Sequence, residues 1–541
     1  MSSTLFTTLL LYITLCPLLS SVASLHCPNQ CKCDDEKLDI NCEEGHLDVL
    51  PIALNPSIER LVIKNNKIRT IDSSIHFYTQ LTLIDLSYNQ LFTIPEKTFQ
   101  YQRKLQQLHL NHNKIGNISN KTFIGLSELA VLNLRGNLID TLDAKAFMSL
   151  SNLEELNLGQ NRIMKIHVNA FDGLENLKIL YLDDNILGGI PSMSFSPMSK
   201  LAELYLGVNS LLKIDAGTFK SLPELTKLDI RGGMIMNISY DAFKGIEQLK
   251  SLNLADNRFT RIPTEAFSSL TRLEDLFLGQ GEFEIVPAYA FIGLKHLKRV
   301  DMTGSNKLRV VKDGAFSKNV NLRSVSIASN RVLGVIEGNA FLGLAFLKHV
   351  NLRGNALTTI FESWFSWNEL DSLDISDNPI NCDCEVVRVI QTIFPSNKIT
   401  LLNNTLCASP DPLRGLPLSD LSYDMLGCAY LNSRESDLIG ITLVIIAAVI
   451  TATFLIIFRF RARIKEALKR SWDAKCFQTS EFQRPYHKAS SEEDFLPRQS
   501  NFYSYNINST LSFYPHLESP QQNLPSPQLY SPVTPLPVTE L

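Results

Sequence analysis

Residues 201–214 read LAELYLGVNSLLKI, a ladder of aliphatic residues in which Tyr205 stands between two leucines. The ladder, LxxLxLxxN, opens at ten leucines separated by nine successive steps of 24 residues; one unit before them and three after them keep the pattern with steps of 23 to 25 residues. A fixed period of this length is the sequence signature of stacked repeats. The sequence therefore predicts about fourteen repeats over residues 58–378, which open at Ile58, Leu81, Leu105, Leu129, Leu153, Leu177, Leu201, Leu225, Leu249, Leu273, Leu297, Leu322, Leu347 and Leu370.

The LxL core of each unit predicts a short β-strand, because successive side chains of a strand point to opposite faces of a sheet. A single unit cannot bury its leucines alone, whereas stacked units share a continuous apolar interior and curve into a solenoid. We expect the Asn of each unit to bond backbone groups of the next unit. The Asn is replaced at Gly233 and Gly281, and Asn306 stands one residue late, so we expect a less regular coil between the eighth and twelfth units.

Each full unit also carries an aliphatic residue two and five positions after the Asn and usually a phenylalanine ten positions after it, as in Asn89, Leu91, Ile94 and Phe99. This pattern resembles the leucine-rich repeat family, typical subtype. The resemblance implies an α/β solenoid, in which a curved horseshoe carries a concave parallel β-sheet.

Eight of the ten cysteines lie in two clusters, one on each side of the repeats. The end units of a solenoid expose apolar interior, and disulfides commonly staple small segments of this kind. The motifs CPNQCKC and NPINCDC resemble the amino- and carboxy-terminal caps of extracellular leucine-rich repeat proteins, which we assign to residues 25–57 and 379–430. Four cysteines permit three pairings in each cap, and a zinc site is the competing chemistry, which a secreted chain disfavours. The resemblance implies the pairs Cys27 with Cys33, Cys31 with Cys42, Cys382 with Cys407, and Cys384 with Cys428.

Two apolar segments outside the repeats predict the topology. Residues 1–24 form an apolar run that ends in small residues and predict a secretory signal, although the usual basic start is missing. Residues 438–458 contain no charge and are long enough to cross a bilayer as a helix. Six basic residues follow within residues 459–470, and positive residues stay in the cytoplasm. We expect a single-pass type I protein of the plasma membrane with extracellular repeats, a short stalk at 431–437 and a cytoplasmic tail at 459–541.

Four N-glycosylation triplets lie in the predicted extracellular part, at Asn117, Asn120, Asn237 and Asn403. Asn117 and Asn237 occupy the same position of two repeats, so glycans there would protect one flank. No triplet falls within an LxxLxL segment, which leaves the concave sheet free of predicted sugar.

The central residue of each LxL points out of the sheet onto the concave face, which explains why the ladder tolerates Tyr205. Tyr181 occupies the same position on the preceding strand, about 4.8 Å away. Aromatic anchors surrounded by polar residues are typical of protein-binding hot spots. The alternative is that the tyrosines pair laterally for stability only. We predict a ligand-binding surface composed of Tyr181, Tyr205, Asp183, Glu203, Asp229 and Phe277.

A basic run lies on the same face towards the carboxy end. It would suit an acidic protein or a sulfated glycan. Charges of this kind more often keep a surface soluble, which is the interpretation that we favour. The run comprises Lys298, Arg299, Arg323, Lys348, His349 and Arg353.

The sequence contains no catalytic motif such as HExxH or GxSxG, so we expect a binding protein without a cofactor and not an enzyme. Its net charge of −4 gives no indication of a nucleic-acid partner. The tail is rich in Pro, Ser and Gln and is predicted to be largely disordered. It ends in Thr539, Glu540 and Leu541, which resemble class I PDZ ligands that add a strand to a sheet edge.

The whole arrangement resembles the type I leucine-rich repeat receptors of animal neurons and epithelia. The resemblance implies an extracellular or cell-surface protein ligand, a role in adhesion, axon or dendrite guidance or synapse formation, and recruitment of PDZ scaffold proteins by the tail. Two alternatives stay open: an organiser of apical extracellular matrix, and an innate immune recognition receptor without its own signalling domain.

Overall fold

The computed structural model describes residues 27–52, 54–393 and 404–476. The predictions for the signal at 1–24, for Asn403 and for the PDZ-like residues Thr539 to Leu541 concern positions outside these ranges. The repeats, the caps and the apolar segment after them lie almost entirely within the described part.

One long sheet of sixteen short strands runs through the described repeats and the first cap. The first two strands pair antiparallel, and each later strand pairs parallel with the strand before it. In each repeat the middle residue of the strand is buried and its two neighbours point outward, as the LxL pattern predicts. The predicted parallel solenoid is therefore confirmed. Its strands are Lys32–Asp34, Asp39–Asn41, Arg60–Val62, Leu83–Asp85, Gln107–His109, Val131–Asn133, Glu155–Asn157, Ile179–Tyr181, Glu203–Tyr205, Lys227–Asp229, Ser251–Asn253, Asp275–Phe277, Arg299–Asp301, Ser324–Ser326, His349–Asn351 and Ser372–Asp374.

Buried leucines and a column of phenylalanines fill the interior. Phe147 and Phe171 are fully buried, and their ring centroids lie 6.1 Å apart with nearly parallel planes. The same stacking recurs further along, where the rings of Phe316 and Phe341 lie 5.3 Å apart. Equivalent rings of neighbouring units stack in this way from Phe123 to Phe171, from Phe219 to Phe267 and from Phe291 to Phe341, which no unit could do alone.

The asparagine column forms a hydrogen-bond ladder, but it binds the preceding unit and not the next one. In the unit of Asn161, Nδ2 donates to the carbonyl of Leu134 at 3.0 Å, and Oδ1 accepts the N–H of Ile139 at 3.2 Å. These partners stand 27 and 22 residues earlier in the chain. Our expected direction was therefore wrong, since the side chain points back to the turn one unit earlier.

Ser305, and not Asn306, fills the asparagine position of its unit. Its Oγ accepts the N–H of Gly281 at 3.2 Å, and its own N–H donates to Asn330 Oδ1 at 2.6 Å. A side chain is excluded at Gly281 because its Cβ would overlap the ring of Phe283. The strands nevertheless pair residue by residue through these units, so the expected loss of regularity is limited to the asparagine ladder.

The segment that follows each asparagine, here called the flank, carries strands of only two residues. They form three separate sets in the described repeats: Thr141–Leu142 with Lys165–Ile166, Lys213–Ile214 with Asn237–Ile238, and Ile285–Val286 with Val310–Val311 and Val335–Ile336. Turns and short 3₁₀ helices complete the units, at Ser73–Phe77, Ser192–Phe195, Glu362–Trp364 and Trp367–Glu369. The described repeats contain one α-helix, Thr264–Phe267.

Both ends of the solenoid are closed by disulfides, which pair Cys27 with Cys33, Cys31 with Cys42, Cys382 with Cys407 and Cys384 with Cys428. In the carboxy-terminal cap the helix Cys384–Ile393 buries Val386 and Val387 against the last repeat. The cap also contains strands Ile380–Asn381 and Cys407–Ser409, 3₁₀ helices Asp411–Leu413 and Leu418–Asp420, and helix Tyr423–Leu426. These elements cover the apolar interior that the final repeat would otherwise expose.

After the cap, the chain forms the helices Ala429–Arg459 and Arg461–Cys476. Residues Gly440–Arg459 make up the one segment in the described part that is long and apolar enough to cross a membrane. This segment overlaps the span predicted at 438–458.

Candidate functional site

Two tyrosines form an aromatic stack on the outward face of the long sheet, here called the sheet face. Tyr181 and Tyr205 end neighbouring parallel strands and are paired directly in the register. Their ring centroids lie 4.6 Å apart, with an angle of 14° between the planes, and both side chains are half-buried. In-register strands hold equivalent positions about 4.8 Å apart, so the repeat itself brings the rings into contact.

The Tyr205 end of the stack is closed by charges of the protein itself. The Tyr205 hydroxyl donates to Glu203 Oε2 at 2.6 Å. Lys227 Nζ lies 5.0 Å from the centroid of the Tyr205 ring and 3.7 Å from Glu203 Oε2. Burial, followed by the hydrogen bond to Glu203, raises the pKa of Tyr205 well above its usual range. The hydroxyl is therefore a neutral donor at physiological pH.

On the Tyr181 side of the stack, the neighbouring residue in the register is Asn157. Burial raises the pKa of Tyr181, and the nearby carboxylate of Glu155 adds to the shift. Among the described residues, no ion pair includes Glu155, and no cation or second aromatic ring lies against the other face of Tyr181. This end therefore combines a tyrosine ring with a carboxylate, and no described cation contacts either of them.

An ion pair crosses the sheet face next to the stack. Arg135 Nη1 lies 2.8 Å from Asp183 Oδ2, although two strand intervals separate these residues. The guanidinium passes over Gly159, where an added Cβ would overlap Arg135 Nη1 and lie 2.8 Å from Asp183 Oδ1. The absence of a side chain at Gly159 is thus what permits this bridge.

Asp229 borders the stack on the following strand, where it stands opposite Tyr205 in the register. Its Oδ1 accepts the N–H of Arg231 at 3.1 Å, and its Oδ2 accepts Asn253 Nδ2 at 3.4 Å. The Nε of Arg231 lies 3.7 Å from Asp229 Oδ2. Asp229 therefore orders the turn beside the stack as well as contributing charge.

The structure separates Phe277 from the tyrosine stack. The register runs from Tyr205 to Asp229, then to Asn253, and only then to Phe277. Three strand intervals amount to roughly 14 Å. Of the predicted surface, Tyr181, Tyr205, Asp183, Glu203 and Asp229 form one cluster, and Phe277 stands apart from it.

Four further residues of this cluster were not among those predicted from the sequence: Arg135, Glu155, Gly159 and Lys227. The 24-residue period could have identified two of them, because it places Glu155 and Lys227 on the strands on either side of the tyrosine pair. The bridge from Arg135 over Gly159 has no such signal, since it depends on the path of one long side chain.

The basic run towards the carboxy end is largely paired with carboxylates. Lys298 lies 2.5 Å from Glu274, and Arg353 lies 2.8 Å from Asp377. Further pairs join Arg299 to Asp275 at 3.7 Å and Lys348 to Glu369 at 3.1 Å. The pairing agrees with our interpretation of this run as a solvated surface.

The side chains of Asn117, Asn120 and Asn237 are exposed to solvent. Asn237 begins a two-residue strand of the flank, and Asn117 holds the equivalent position five units earlier. None of the three lies in a strand of the long sheet.

Two family models match the chain. The model described as "Leucine rich repeat" matches residues 56–115, 79–139, 127–187, 175–235 and 320–380, and that described as "BspA type Leucine rich repeat region (6 copies)" matches residues 213–332. Together they span residues 56–380, which is 325 of 541 residues. The chain belongs to the leucine-rich repeat family, whose solenoid is typical of binding proteins without enzymatic activity.

Individual relatives and solved structures resemble the chain over different lengths. Human Reticulon-4 receptor-like 2 is 32% identical over 85 residues, which make up 16% of this chain and 20% of that protein. The chain thus matches about a fifth of the length of this curated relative. A leucine-rich repeat protein of Leptospira interrogans superimposes with a TM-score of 0.55 and 23% identity, over 66% of this chain and 93% of that one. The structure of TLR13 in its complex with ssRNA13 superimposes with a TM-score of 0.53 and 24% sequence identity, over 72% of this chain and 64% of that one. These structural likenesses show the fold.

Proposed function

We propose that this protein is a single-pass cell-surface receptor or adhesion protein, and that it binds an extracellular protein through the Tyr181 and Tyr205 stack. The observation that carries the proposal is the geometry of the stack: two half-buried rings, 4.6 Å apart, fixed by sheet register and by the hydrogen bond to Glu203. Rigid aromatic anchors within a polar rim lose little side-chain entropy on binding and dominate the energetics of many interfaces.

The charges around the stack favour a ligand that presents a basic side chain. At one end, Lys227 lies near both a ring face and the carboxylate of Glu203. At the other end, the ring of Tyr181 and the carboxylate of Glu155 likewise lie near each other, and no described cation contacts either of them. An Arg or Lys of the ligand that docks there would gain a cation–π contact and a salt bridge together.

The acidic character of the cluster argues against a nucleic-acid ligand. The solved complex of TLR13 contains ssRNA13. Nucleic-acid binding depends on neutralising phosphates with Lys and Arg. Here the stack is bordered by Glu155, Asp183, Glu203 and Asp229, so we do not extend RNA binding to this chain.

The membrane anchor is part of the proposal. Residues Gly440–Arg459 are long and apolar enough to span a bilayer, and basic residues follow in the helix Arg461–Cys476. This order favours a cytoplasmic tail, with the disulfide-capped repeats outside the cell and the plasma membrane as the location. The partial likeness to a protein named as receptor-like, Reticulon-4 receptor-like 2, supports a receptor role. We propose that this role lies in neuronal guidance, dendrite or axon development, or synapse development.

The proposal is tested with the full-length protein on the surface of cultured cells. A panel of clustered secreted and cell-surface proteins is applied, because clustering compensates for weak single-site affinity. Cells that carry Tyr181→Ala with Tyr205→Ala should lose the ligand. Cells that carry Tyr101→Ala should keep it, because Tyr101 is an exposed tyrosine that packs edge-on against His76 outside the sheet face. Surface staining establishes that all variants are equally displayed.

The outcomes of this screen separate the alternatives. A ligand retained by the double tyrosine variant would overturn the sheet-face site. Binding to matrix preparations alone, without a discrete protein ligand, would favour the organiser of apical matrix instead.

A second test concerns the tail. We propose that Thr539 to Leu541 recruit a PDZ scaffold, because these residues resemble class I PDZ ligands, which bind by strand addition. Deleting these three residues should abolish scaffold co-localisation and leave ligand capture by the repeats unchanged. Co-localisation that survives the deletion would remove the PDZ assignment without affecting the sheet-face site.

A further inference from the structure

A proline interrupts the two-residue strands of the flank. In a paired unit, the residue after the flank strand donates its N–H to the preceding unit, as Ser239 does to the carbonyl of Ile214 at 3.0 Å. Pro191 holds this position and has no N–H to donate. Its φ of −80° and ψ of 59° form an inverse γ-turn, in which the N–H of Ser192 bonds the carbonyl of Ile190 at 2.8 Å. The unit therefore has no N–H at Pro191 to donate to the preceding unit. The carbonyl of Ile190 bonds Ser192 and, within the described part of the chain, makes no backbone bond to the following unit.

A groove of about 730 Å³ opens where this pairing is lost. Gly188 and Gly189 form part of its lining and contribute no side chains, and a Cβ added at either would contact nothing. The walls carry Met193, Leu212 and Met236, whose side chains are 70%, 48% and 53% exposed. A second groove follows Pro263, where the N–H of Thr264 bonds the carbonyl of Ile262 at 2.9 Å in the same way. Each groove thus lies beside an Ile-Pro pair that forms a γ-turn.

The first groove combines apolar walls with a free backbone donor. In a continuous flank ladder the N–H of Asp215 would bond the carbonyl of Ile190, which here bonds the N–H of Ser192 within the γ-turn. Among the described residues, this N–H has no backbone acceptor. A volume of this size lies within the range of small-ligand sites, which is about 300–1,000 Å³. Sugar rings fit this chemistry, because each ring has an apolar face of C–H groups and a rim of hydroxyls.

The attachment point for such a sugar lies in the wall of the groove. Asn237 lines the groove, is exposed, and begins the triplet Asn237-Ile238-Ser239. We propose that an N-linked glycan on Asn237 folds back into this groove and covers Met193, Leu212 and Met236. Covalent attachment keeps the sugar at high effective concentration, so weak contacts suffice to seat it.

Attachment of the glycan follows ordinary transfer chemistry in the secretory pathway. A membrane oligosaccharyltransferase uses a lipid diphosphate-linked oligosaccharide as the donor. A bond forms between Asn237 Nδ2 and the anomeric carbon of the first sugar, the bond from that carbon to the diphosphate oxygen breaks, and the amide gives up one proton. The seated glycan would make this flank unavailable to partners, which leaves the sheet face for ligands.

Methionine oxidation tests the position of the glycan. Full-length protein from a eukaryotic cell line is treated with dilute hydrogen peroxide, and sulfoxide formation at Met193 and Met236 is followed by peptide mass spectrometry. Met148 is 56% exposed and lies outside the groove lining, so it serves as the internal reference. We expect Met193 and Met236 to oxidise at least about threefold more slowly in the wild type than in Ser239→Ala, which removes the triplet but keeps Asn237.

The matched control is Asn117→Gln, which removes a glycan at the equivalent flank position of a unit without the groove. It should leave the oxidation of Met193 and Met236 unchanged. Enzymatic removal of N-glycans from the folded wild-type protein should raise both rates to those of Ser239→Ala, independently of any folding defect in the variant. An unglycosylated Asn237, or a glycosylated Asn237 with unprotected methionines, would overturn the proposal.

Discussion

Replacing Asn161 by Ala should lower the free energy of unfolding of the repeats by roughly 2–4 kcal/mol. The Oδ1 of Asn161 accepts the N–H of Ile139, and its Nδ2 donates to the carbonyls of Leu134, Leu158 and Gly159. Each of these three carbonyls keeps a second donor. The N–H of Ile139 has no other acceptor among the described residues and becomes an orphan, which costs about 1–3 kcal/mol, and the lost bonds contribute about 1 kcal/mol more.

Hydrogen exchange and urea unfolding measure this effect. Peptides that contain Ile139 should exchange faster in Asn161→Ala, and the unfolding midpoint should fall. The control is Asn306→Ala, because Asn306 is exposed and Ser305 takes the ladder position of its unit. The control should change stability by no more than about 0.5 kcal/mol. Equal destabilisation by the two variants, or unchanged exchange at Ile139, would refute the ladder as described.

Three further predictions concern the interior and the stack. Gly159→Ala should displace the Arg135 guanidinium from Asp183, visible in a crystal structure of the variant, while stability changes by less than about 1 kcal/mol because flexible side-chain ends can move aside. Phe219→Ala should cost about 3–5 kcal/mol in thermal unfolding, since the ring is fully buried in the phenylalanine column. The pKa of Tyr205 is raised in the folded protein above its ordinary value of 10.0, so the native state keeps a proton that the unfolded chain loses. Stability should therefore decline as pH rises above about 10, and Tyr205→Phe should make that decline shallower.

The period of the leucines was sufficient to predict the strands, their parallel order and the outward position of Tyr205. These features follow from alternation along a strand and from a constant repeat length, which are local properties of the sequence. For the same reason the contact between Tyr181 and Tyr205 was predictable from one spacing of 24 residues. The prediction of their neighbour Glu203 rested on the same argument.

Other features depend on which of several nearby donors and acceptors form a hydrogen bond with one another. The direction of the asparagine bonds and the role of Ser305 in place of Asn306 are settled by the geometry of neighbouring turns. The groove beside Pro191 combines two local features: Pro191 has no N–H, and the carbonyl of Ile190 bonds Ser192 within the γ-turn. The repeat period does not indicate which hydrogen bonds form, so these features could be identified only in the structure.

The dissociation constant of the ligand identified on cells is the most direct test of the sheet-face site. The full-length protein and the variant that combines Tyr181→Ala with Tyr205→Ala are compared, with Tyr101→Ala as the control. Loss of a hot spot worth at least about 2 kcal/mol predicts an affinity roughly 30-fold weaker for the double variant and unchanged for the control. A double variant that is folded, displayed and bound as tightly as the wild type would contradict the assignment of this stack as the ligand-binding surface.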